Sequence, residues 1–586
     1  MTKRLAIIHK DRCNPESCGV YKCIKYCPIN RKGENCIYKA DGQKAGIDEP
    51  LCIGCGICSN TCPFNAIDII NLPQALEKDP IHRYGKNMFE LFSLPIPIFG
   101  KTVGTLGING IGKSTAFKIL AGILPPNLGD LEKDASTEEI IDRFKGTEAH
   151  LFFEKVNKGE IKVSYKPQNV DLIPKTTKGK VRQLLEKVDE ENKLDEIAEK
   201  LELTKFLDHN IKDISGGELQ RVAIAATLLK KANLYIFDEP TSYLDIKQRL
   251  KITNILRELP DDNTSVLVIE HDLVALDYMT DLIHIMYGKQ ACFGVAAHPR
   301  ATKEAINTFL EGFLKEENVR FRDSEIKFEI KPPDSKKHIN KLTSWPELTK
   351  KFESFTLKTD PGEVYRGEVV GILGENGIGK TTFVKILAGQ LKPDSGEIDT
   401  EVTVSYKPQY LESDSDELVA SFLGDKYEKH KNDVMDPLNI EPLLTKPLNT
   451  LSGGELQKVS IAKALSQDTH LILLDEPSAY LDIEMRLLLS KIIANIAYSH
   501  NKTILVVDHD ILFLDYISDR LLVFSGEPAK NGTVQGPFAM EKGMNSLLKE
   551  VNITLRRDSL TGRPRINKPD SVKDQEQKKS GKYYYA

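Results

Sequence analysis

Two glycine-rich segments of this sequence have the residue types and spacing of a loop that binds phosphate groups. Both fit the pattern Gly-x4-Gly-Lys-Ser/Thr, with Lys113 and Lys380 as the lysines. In such a loop, glycines let backbone N–H groups surround the phosphates, the lysine reaches the β and γ phosphates, and the next hydroxyl holds Mg²⁺. The loop residues that we assign to nucleotide binding are Gly107, Asn109, Gly110, Gly112, Lys113, Ser114 and Thr115 in the first copy, and Gly374, Asn376, Gly377, Gly379, Lys380, Thr381 and Thr382 in the second.

Further along the chain, each loop is followed by an apolar run that ends in two adjacent carboxylates, Asp238-Glu239 and Asp475-Glu476. The runs are short enough to be buried parallel strands. A strand-end Asp can coordinate Mg²⁺, and the adjacent Glu can polarise an attacking water as a general base. We therefore predict that Glu239 and Glu476 are catalytic, and that the two Asp residues bind the nucleotide through the metal.

The two segments share three more motifs in the same order. Tyr-Lys-Pro-Gln precedes the carboxylates, Ser-Gly-Gly-Glu opens a helix, and His-Asp follows. A single histidine is usually structural, but two in matching order favour a catalytic role. The motifs supply Gln168, Ser215, Gly217 and His271 in the first copy and Gln409, Ser452, Gly454 and His509 in the second. The P-loop hydroxyls of Ser114 and Thr381 are the predicted ligands of Mg²⁺.

Nine of the ten cysteines lie between positions 13 and 62. In a cytosolic protein this clustering indicates metal binding rather than disulfides. Residues 52–63 read Cys-x2-Cys-x2-Cys-x3-Cys-Pro, the ferredoxin run for a [4Fe-4S] cluster, in which the fourth cysteine ligates the neighbouring cluster. Residues 13–28 form a longer-spaced run with the same Cys-Pro ending.

Eight cysteines suffice for two [4Fe-4S] clusters. The ferredoxin crossover assigns Cys13, Cys18, Cys23 and Cys62 to one cluster, and Cys27, Cys52, Cys55 and Cys58 to the other. Two zinc sites are the alternative, although zinc sites usually pair two Cys-x2-Cys units. Cys36 and Cys292 remain, and we expect both to be buried thiols.

The elements that must position these residues also occur twice. Each phosphate loop follows an apolar, strand-like segment and opens a helical one. Lys113 and Gln168 are 55 positions apart, whereas Lys380 and Gln409 are 29 positions apart. The first copy therefore contains 26 extra residues, at about 130–154. Within them Ser136 and Glu139 have the spacing of a capping box, which predicts a helix-loop-helix. It is either a surface insertion or a docking element for a large partner.

Composition limits the class of protein. The 586 residues are 40% hydrophobic and 28% charged, the balance of a soluble globular protein of several domains. No apolar run approaches the roughly eighteen residues of a membrane-spanning helix, and residues 1–10 are too polar for a signal peptide. We expect a cytosolic protein.

Basic residues are concentrated at both ends, although the net charge is −5. Residues 1–44 hold ten Lys and Arg against four acids, and residues 556–586 hold nine against four. Such segments form either a solvated surface or a contact with the phosphate backbone of a nucleic acid. Basic motifs at residues 320–323 and 556–558 follow the two copies and suggest a hinge that braces them, ordinary linkers being the alternative.

In this order, the motifs resemble the nucleotide-binding domain of the ABC ATPase superfamily, present twice over about residues 80–550. With the cysteine domain and the basic joints, the whole chain resembles the ribosome-recycling ABC proteins of subfamily E, the RNase L inhibitor family. The resemblance implies an α/β fold, with a ferredoxin-like double [4Fe-4S] domain followed by two P-loop ABC domains arranged head to tail. The predicted units are a cysteine domain at 1–79, a first ABC domain at 80–312, a hinge at 313–341, a second ABC domain at 342–550, and a second hinge with a basic tail at 551–586.

In the implied arrangement, each ATP lies between the P-loop of one domain and the Ser-Gly-Gly helix of the other. The resemblance also implies that Gln168 and Gln409 are ligands of Mg²⁺. Site one combines Lys113, Ser114, Gln168, Asp238, Glu239 and His271 with Ser452 and Gly454. Site two combines Lys380, Thr381, Gln409, Asp475, Glu476 and His509 with Ser215 and Gly217. Adenine normally stacks on an aromatic residue before the P-loop, and the candidates are Tyr84 or Phe89 in the first copy and Phe352 in the second; ordinary core packing also explains these rings.

The resemblance implies ATP hydrolysis to ADP and phosphate, coupled to splitting of ribosomes after termination or stalling, with links to ribosome biogenesis and translation initiation. The implied partners are the small ribosomal subunit with its rRNA phosphates, a release factor and its rescue paralogue, and initiation factors. We expect a monomer in the cytoplasm and also the nucleus, with no membrane or DNA partner. An ATP-gated iron–sulphur electron carrier and a transporter ATPase subunit are the rival functions. The transporter role is weakened by Glu218 and Glu455, where transporters usually carry Gln.

Overall fold

The computed structural model describes residues 4–71, 79–328, 340–398, 402–409 and 415–585. They form an N-terminal domain (residues 4–71) and two larger lobes, lobe 1 (79–328) and lobe 2 (340–585). The predicted first hinge lies partly outside the described residues, because residues 329–339 are not among them. No described helix is both long and apolar enough to cross a membrane.

The N-terminal domain is built on two small antiparallel sheets, in which β1 pairs with β4 and β2 with β3. Its core consists mainly of isoleucines and cysteines from both sheets and the short helices. The elements are β1 (Arg4–Ile8), α1 (Lys22–Tyr26), α2 (Pro28–Arg31), β2 (Ile37–Lys39), β3 (Ala45–Ile47), α3 (Ile57–Thr61) and β4 (Ile67–Asn71).

Lobe 1 is an α/β unit around a nine-stranded sheet of described residues, with the order β5-β6-β12-β11-β7-β10-β9-β8 and β13 paired to β11. Its strands are β5 (His82–Arg83), β6 (Glu90–Leu91), β7 (Thr102–Leu106), β8 (Val163–Lys166), β9 (Leu234–Asp238), β10 (Ser265–Ile269), β11 (Leu282–Lys289), β12 (Phe293–Ala296) and β13 (Arg300–Ala301), with β14 (Phe313–Leu314) and β15 (Val319–Arg320) as a separate pair. Its helices are α4 (Lys113–Leu120), α5 (Thr137–Arg143), α6 (Glu148–Asn157), α7 (Ile173–Thr176), α8 (Val181–Glu186), α9 (Leu194–Lys200), α10 (Gly216–Leu228), α11 (Ile246–Glu258), α12 (Leu273–Met279) and α13 (Thr302–Glu311).

Lobe 2 repeats this plan with an eight-stranded sheet of described residues, in the order β17-β18-β25-β24-β20-β23-β22-β21. Its strands are β16 (Lys341–Trp345), β17 (Leu348–Lys351), β18 (Thr356–Thr359), β19 (Gly362–Tyr365), β20 (Val369–Leu373), β21 (Val404–Lys407), β22 (Leu471–Asp475), β23 (Thr503–Val507), β24 (Arg520–Glu527), β25 (Asn531–Ala539), β26 (Leu555–Arg557) and β27 (Pro564–Ile566). Its helices are α14 (Lys380–Leu387), α15 (Val419–Leu423), α16 (Lys426–Lys429), α17 (Gly453–Leu465), α18 (Ile483–Ser499), α19 (Ile511–Ile517), α20 (Met540–Glu550) and α21 (Val572–Ser580).

The central strands of both sheets are parallel and fully buried. In lobe 1, β10 lies between β7 and β9, and in lobe 2, β23 lies between β20 and β22. Continuous apolar runs suit strands that are covered on both faces. Because the carboxyl ends of parallel strands share one edge, the loops after β7 and β9 meet there, as do those after β20 and β22.

The extra segment of lobe 1 contains helices α5 and α6. Ser136 caps α5, and the side chain of Glu139 reaches back to the Ser136 N–H, which completes a capping box. Phe144 and Phe153 stack with ring centroids 5.0 Å apart. The pair therefore has a packed inner face, while Leu151 on α6 is 63% exposed.

The N-terminal domain packs on lobe 1 through apolar and charged contacts. Leu5 and Ile7 share a buried cluster with Phe293 of lobe 1. Asp68 lies 2.7 Å from His9 Nε2 and 2.6 Å from Lys289 Nζ of lobe 1.

Basic side chains near the C-terminal end of each lobe contact the opposite lobe. Arg322 pairs with Glu484 at the start of α18. In the C-terminal segment, Arg563 and Arg565 both bond the carboxylate of Asp277 on α12, at 3.2 and 2.7 Å. The basic C-terminal segment is therefore partly neutralised by intramolecular ion pairs instead of facing solvent throughout.

Candidate functional site

The phosphate loops have the backbone that their glycines allow. Gly110 and Gly112 have φ of 76° and 86°, and Gly377 and Gly379 have φ of 76° and 95°. A side chain at these positions would be strained, because L residues rarely adopt this region. The loops therefore expose their N–H groups at the start of α4 and α14.

Both loop lysines point into their own loop. The Lys113 ammonium donates to the carbonyl oxygens of Gly107 and Ile108, each at 2.8 Å. Lys380 donates to Gly374 at 2.9 Å and Glu375 at 2.7 Å. Burial lowers the pKa of each lysine to about 8. A bound phosphate would favour the charged form.

The strand-end aspartates lie against the hydroxyl residues of the loops. Thr381 Oγ1 donates to Asp475 Oδ2 at 2.9 Å, and Ser114 lies beside Asp238 in lobe 1, where burial raises the pKa of that carboxylate and Ser114 opposes the rise. Asp238 Oδ1 is buried and has no hydrogen-bond partner among the described residues. A buried carboxylate oxygen beside a hydroxyl is a donor set that suits Mg²⁺, so the side chains present fit the metal.

Each predicted general base accepts a hydrogen bond from a glutamine and lies near a histidine. Gln168 Nε2 donates to Glu239 Oε1 at 2.7 Å, and His271 Nε2 lies 3.7 Å from the same oxygen. In lobe 2, Gln409 donates to Glu476 at the same 2.7 Å, and His509 lies 3.6 Å away.

The electrostatics of these groups are alike in direction in the two lobes. Burial and then Asp475 and Asp508 raise the pKa of Glu476 to about 7, and burial and Asp238 raise that of Glu239. Both ring nitrogens of His271 and of His509 are buried without a hydrogen-bond partner among the described residues. The histidines are thus free to bond a γ-phosphate.

The Ser-Gly-Gly motifs form the N-termini of α10 and α17. Ser215 and Ser452 are N-caps, and each makes a capping box with the glutamate three residues on. The glycines pack closely on the loop that follows the carboxylates. A Cβ added to Gly217 would lie 3.0 Å from the carbonyl oxygen of Tyr243, and one added to Gly454 would lie 3.1 Å from the carbonyl oxygen of Tyr480.

The two lobes face each other across these loops. The N–H of Asn109, in the first phosphate loop, donates to Asp482 of lobe 2 at 3.0 Å. The N–H of Asn376, in the second, donates to Asp245 of lobe 1, also at 3.0 Å. Because Asp482 belongs to the loop that Gly454 touches, the helix of Ser452 lies beside the phosphate loop of lobe 1. Asp245 and Asp482 are not among the predicted site residues, although each follows the predicted general base of its lobe by six positions.

Aromatic rings border both phosphate loops. A cleft of about 370 Å³ beside Gly110 and Gly112 is lined by Tyr84, Phe89 and residues 7–11 of the N-terminal domain. Tyr84 also bonds Thr115, with 3.0 Å between the hydroxyl oxygens.

In lobe 2 the corresponding ring is Phe355. Phe89 lies against Gly112, where an added Cβ would be 2.6 Å from the Phe89 ring. Phe355 lies against Gly379 in the same way, with 2.9 Å between its ring and an added Cβ. The predicted Phe352 is 46% exposed and packs beside Phe355 with centroids 6.4 Å apart. The spacing to the phosphate loop could have identified Phe355. It precedes Gly379 by 24 positions, and Phe89 precedes Gly112 by 23.

We predict that Phe355→Ala raises the KM for ATP at site two by about tenfold, since stacking of a base on an aromatic ring contributes roughly 1–3 kcal/mol. Phe352→Ala is the matched control and should change the KM by about twofold at most. Both are measured as ATP titrations in the Glu239→Gln background, where site two alone turns over. Equal effects of the two substitutions on the KM would show that Phe355 does not stack on the adenine.

The N-terminal cysteines form two groups. Cys27, Cys52, Cys55 and Cys58 line one cavity, together with Cys36. Burial raises the pKa of Cys58 to about 12, and Cys52 and Cys55 add to the shift. Thiolates in such numbers are stable only with a bound cation.

The second group surrounds Cys23. Burial raises the pKa of Cys23 to about 11, with contributions from Cys13, Cys18 and Cys62. The structure thus places one expected set of four around a single cavity, and it places Cys13, Cys18 and Cys62 near enough to Cys23 to raise the pKa of its thiol. Both groups fit a thiolate-bound cluster. Cys292 lies elsewhere, buried in lobe 1 with its Sγ 3.5 Å from Asp68.

Three protein families match this chain. The ABC transporter family matches residues 98–242 and 357–479, the family described as a possible Fer4-like domain in RNase L inhibitor matches residues 4–35, and the 4Fe-4S binding domain matches residues 45–68. These matches confirm the predicted fold class and favour [4Fe-4S] clusters over zinc.

Matches to whole proteins extend over nearly the full length. The translation initiation factor RLI1 of Saccharomyces cerevisiae is 42% identical, covering 99% of this chain and 98% of its own length. A structure titled as ribosome-bound archaeal Pelota and ABCE1 matches with a TM-score of 0.94 and 49% identity, covering 100% of this chain and 99% of that one. The archaeal ribosome recycling factor aABCE1, in complex with the ribosomal stalk protein aP1, matches with a TM-score of 0.82 and 51% identity over 87% of this chain and 100% of that one.

Proposed function

Because this chain belongs to ABC ATPase subfamily E, the RNase L inhibitor family, we propose that it is an ATP-driven factor that splits ribosomes into subunits. Hydrolysis of ATP follows from its two ABC ATPase domains. The observation that carries the proposal is the likeness to the ribosome-bound structure over the entire chain, because it includes the cysteine domain as well as both lobes.

The chain's own residues suggest how ATP acts. A γ-phosphate at site one lies between the P-loop of lobe 1 and the Ser452 helix, so the substrate links two surfaces. Glu239 and Glu476 accept a proton from the attacking water, while Gln168 and Gln409 hold these carboxylates in place. Ser114 and Asp238 at site one, and Thr381 and Asp475 at site two, would hold Mg²⁺, which would supply positive charge against the phosphates. Hydrolysis removes the link and lets the lobes separate.

The N-terminal domain is the part that such motion would displace. It is attached to lobe 1 through Asp68 and the apolar cluster around Leu5 and Ile7. The clusters, when bound, supply iron–thiolate bonds that tie the cysteine loops into one rigid unit. Exposed basic residues on this domain suit rRNA phosphates; they are Lys22, Lys25, Arg31, Lys32 and Lys39.

The solved relatives suggest the partners. Their titles name the ribosome, Pelota and the stalk protein aP1, and the yeast relative is named as an initiation factor. We infer that this chain binds the small ribosomal subunit beside a release factor or its rescue paralogue and remains near initiation factors. The exposed α5–α6 pair is available as a further docking element.

The test is sedimentation of the protein with ribosomal subunits and a non-hydrolysable ATP analogue on sucrose gradients. We expect comigration with small subunits, and its loss in Lys113→Ala/Lys380→Ala, the control that weakens phosphate binding at both sites. Flotation with membrane vesicles would instead support a transporter subunit. Cluster reduction linked to turnover, without subunit binding, would support the electron carrier.

A further inference from the structure

The N-terminal domain also contacts lobe 2, through an ion pair near the Ser452 helix. Asp11, which follows β1, lies 2.9 Å from the ammonium of Lys446. The Lys446 side chain is 16% exposed and that of Asp11 is 55% exposed. The Lys446 side chain is therefore largely buried in lobe 2, whereas Asp11 lies at the surface of the N-terminal domain.

Lys446 extends this contact to the N-cap of α17. Its ammonium lies 3.1 Å from Glu455 Oε1. The other oxygen, Oε2, accepts from the N–H of Ser452 at 2.9 Å and from its hydroxyl at 2.8 Å. Lys446 therefore binds the oxygen of Glu455 that Ser452 does not contact, so one carboxylate joins Lys446 to the N-cap of α17.

The first copy lacks this connection. Ser215 and Glu218 form the same capping box, but the residue equivalent to Lys446 is the exposed His209. The equivalence follows from the backbone, since His209 O accepts from Val181 N and Lys446 O accepts from Val419 N, both at 3.0 Å. Among the described residues, no salt bridge joins Glu218 to a basic side chain.

We propose that Lys446 is a positioning residue for Ser452 in site one, and that Asp11 makes this positioning depend on where the N-terminal domain lies. When Asp11 leaves Lys446, the grip of Ser452 on the γ-phosphate weakens. By linkage, ATP at site one favours the docked N-terminal domain, whereas site two has no such coupling. The inference deepens the proposed function but concerns the ATP sites alone.

The experiment uses the full-length protein without ribosomes, so that a failure here is distinct from a failure of ribosome recycling. ATP titrations in the Glu476→Gln background report site one, and those in the Glu239→Gln background report site two. Lys446→Met is expected to raise the KM of site one by about threefold, within the range of a partly exposed ion pair, and to act more weakly on site two. Lys446→Arg should restore the KM, and His209→Met is the matched control in the other copy.

A double-substitution cycle tests the part played by Asp11. Asp11→Asn should raise the KM of site one about twofold with Lys446 present and have no further effect in Lys446→Met. The KM of site one in the Asp11→Lys/Lys446→Asp variant should be closer to the native KM than that of Asp11→Lys alone. Equal effects of Lys446→Met on both sites, or additive effects of Asp11→Asn and Lys446→Met, would overturn the proposal.

Discussion

Replacing Glu239 and Glu476 together by Gln is expected to slow ATP hydrolysis by about 10² to 10⁴-fold, the usual contribution of a general base. Glutamine keeps the size of each side chain but cannot accept the proton of the attacking water. ATP should remain bound, because Lys113, Lys380 and the loop N–H groups are unchanged. The variant should therefore stay closed and sediment with small ribosomal subunits.

The measurements are single-turnover hydrolysis, retained nucleotide and cosedimentation. Each single variant serves as a control and should keep one working site. Hydrolysis at the native rate in the double variant would refute the assignment of Glu239 and Glu476 as bases.

Cys58→Ser is expected to abolish ribosome splitting while ATP hydrolysis stays within about twofold of native. Cys58 is buried and lines the cavity shared with Cys27, Cys52 and Cys55. A hydroxyl is a poor substitute for a thiolate iron ligand. The lobes should still fold, because their three main hydrophobic clusters contain no residue of the N-terminal domain, and Cys58 is not part of the small cluster that Leu5 and Ile7 share with lobe 1.

Cys36→Ser is the matched control, since Cys36 lines the same cavity but belongs to neither cysteine run. Iron content and subunit splitting are measured for both variants. We expect iron loss and no splitting in Cys58→Ser, and native values for both in Cys36→Ser. Native splitting by Cys58→Ser would remove the cluster domain from the mechanism.

Sequence spacing was sufficient wherever the chemistry is local. The phosphate loops, strand-end carboxylates and cysteine runs depend on neighbouring residues, whose identities are set by turn geometry or metal coordination. The capping box at Ser136 and Glu139 is similarly local, and the structure contains it.

Contacts between distant segments could not be read in this way. The bonds of Asn109 to Asp482 and of Asp11 to Lys446 depend on how whole domains pack, and no residue pattern encodes their distance. The charge of the C-terminal segment is a related case. Its arginines contribute to a basic surplus in the sequence, but Arg563 is fully buried against Asp277.

The sharing of each ATP between the two lobes is tested most directly by a cryo-EM map of the Glu239→Gln/Glu476→Gln variant with ATP on the small ribosomal subunit. We predict one nucleotide in contact with Lys113 and Ser452, and a second in contact with Lys380 and Ser215. Nucleotides held by one lobe alone, with both serines facing solvent, would contradict the account.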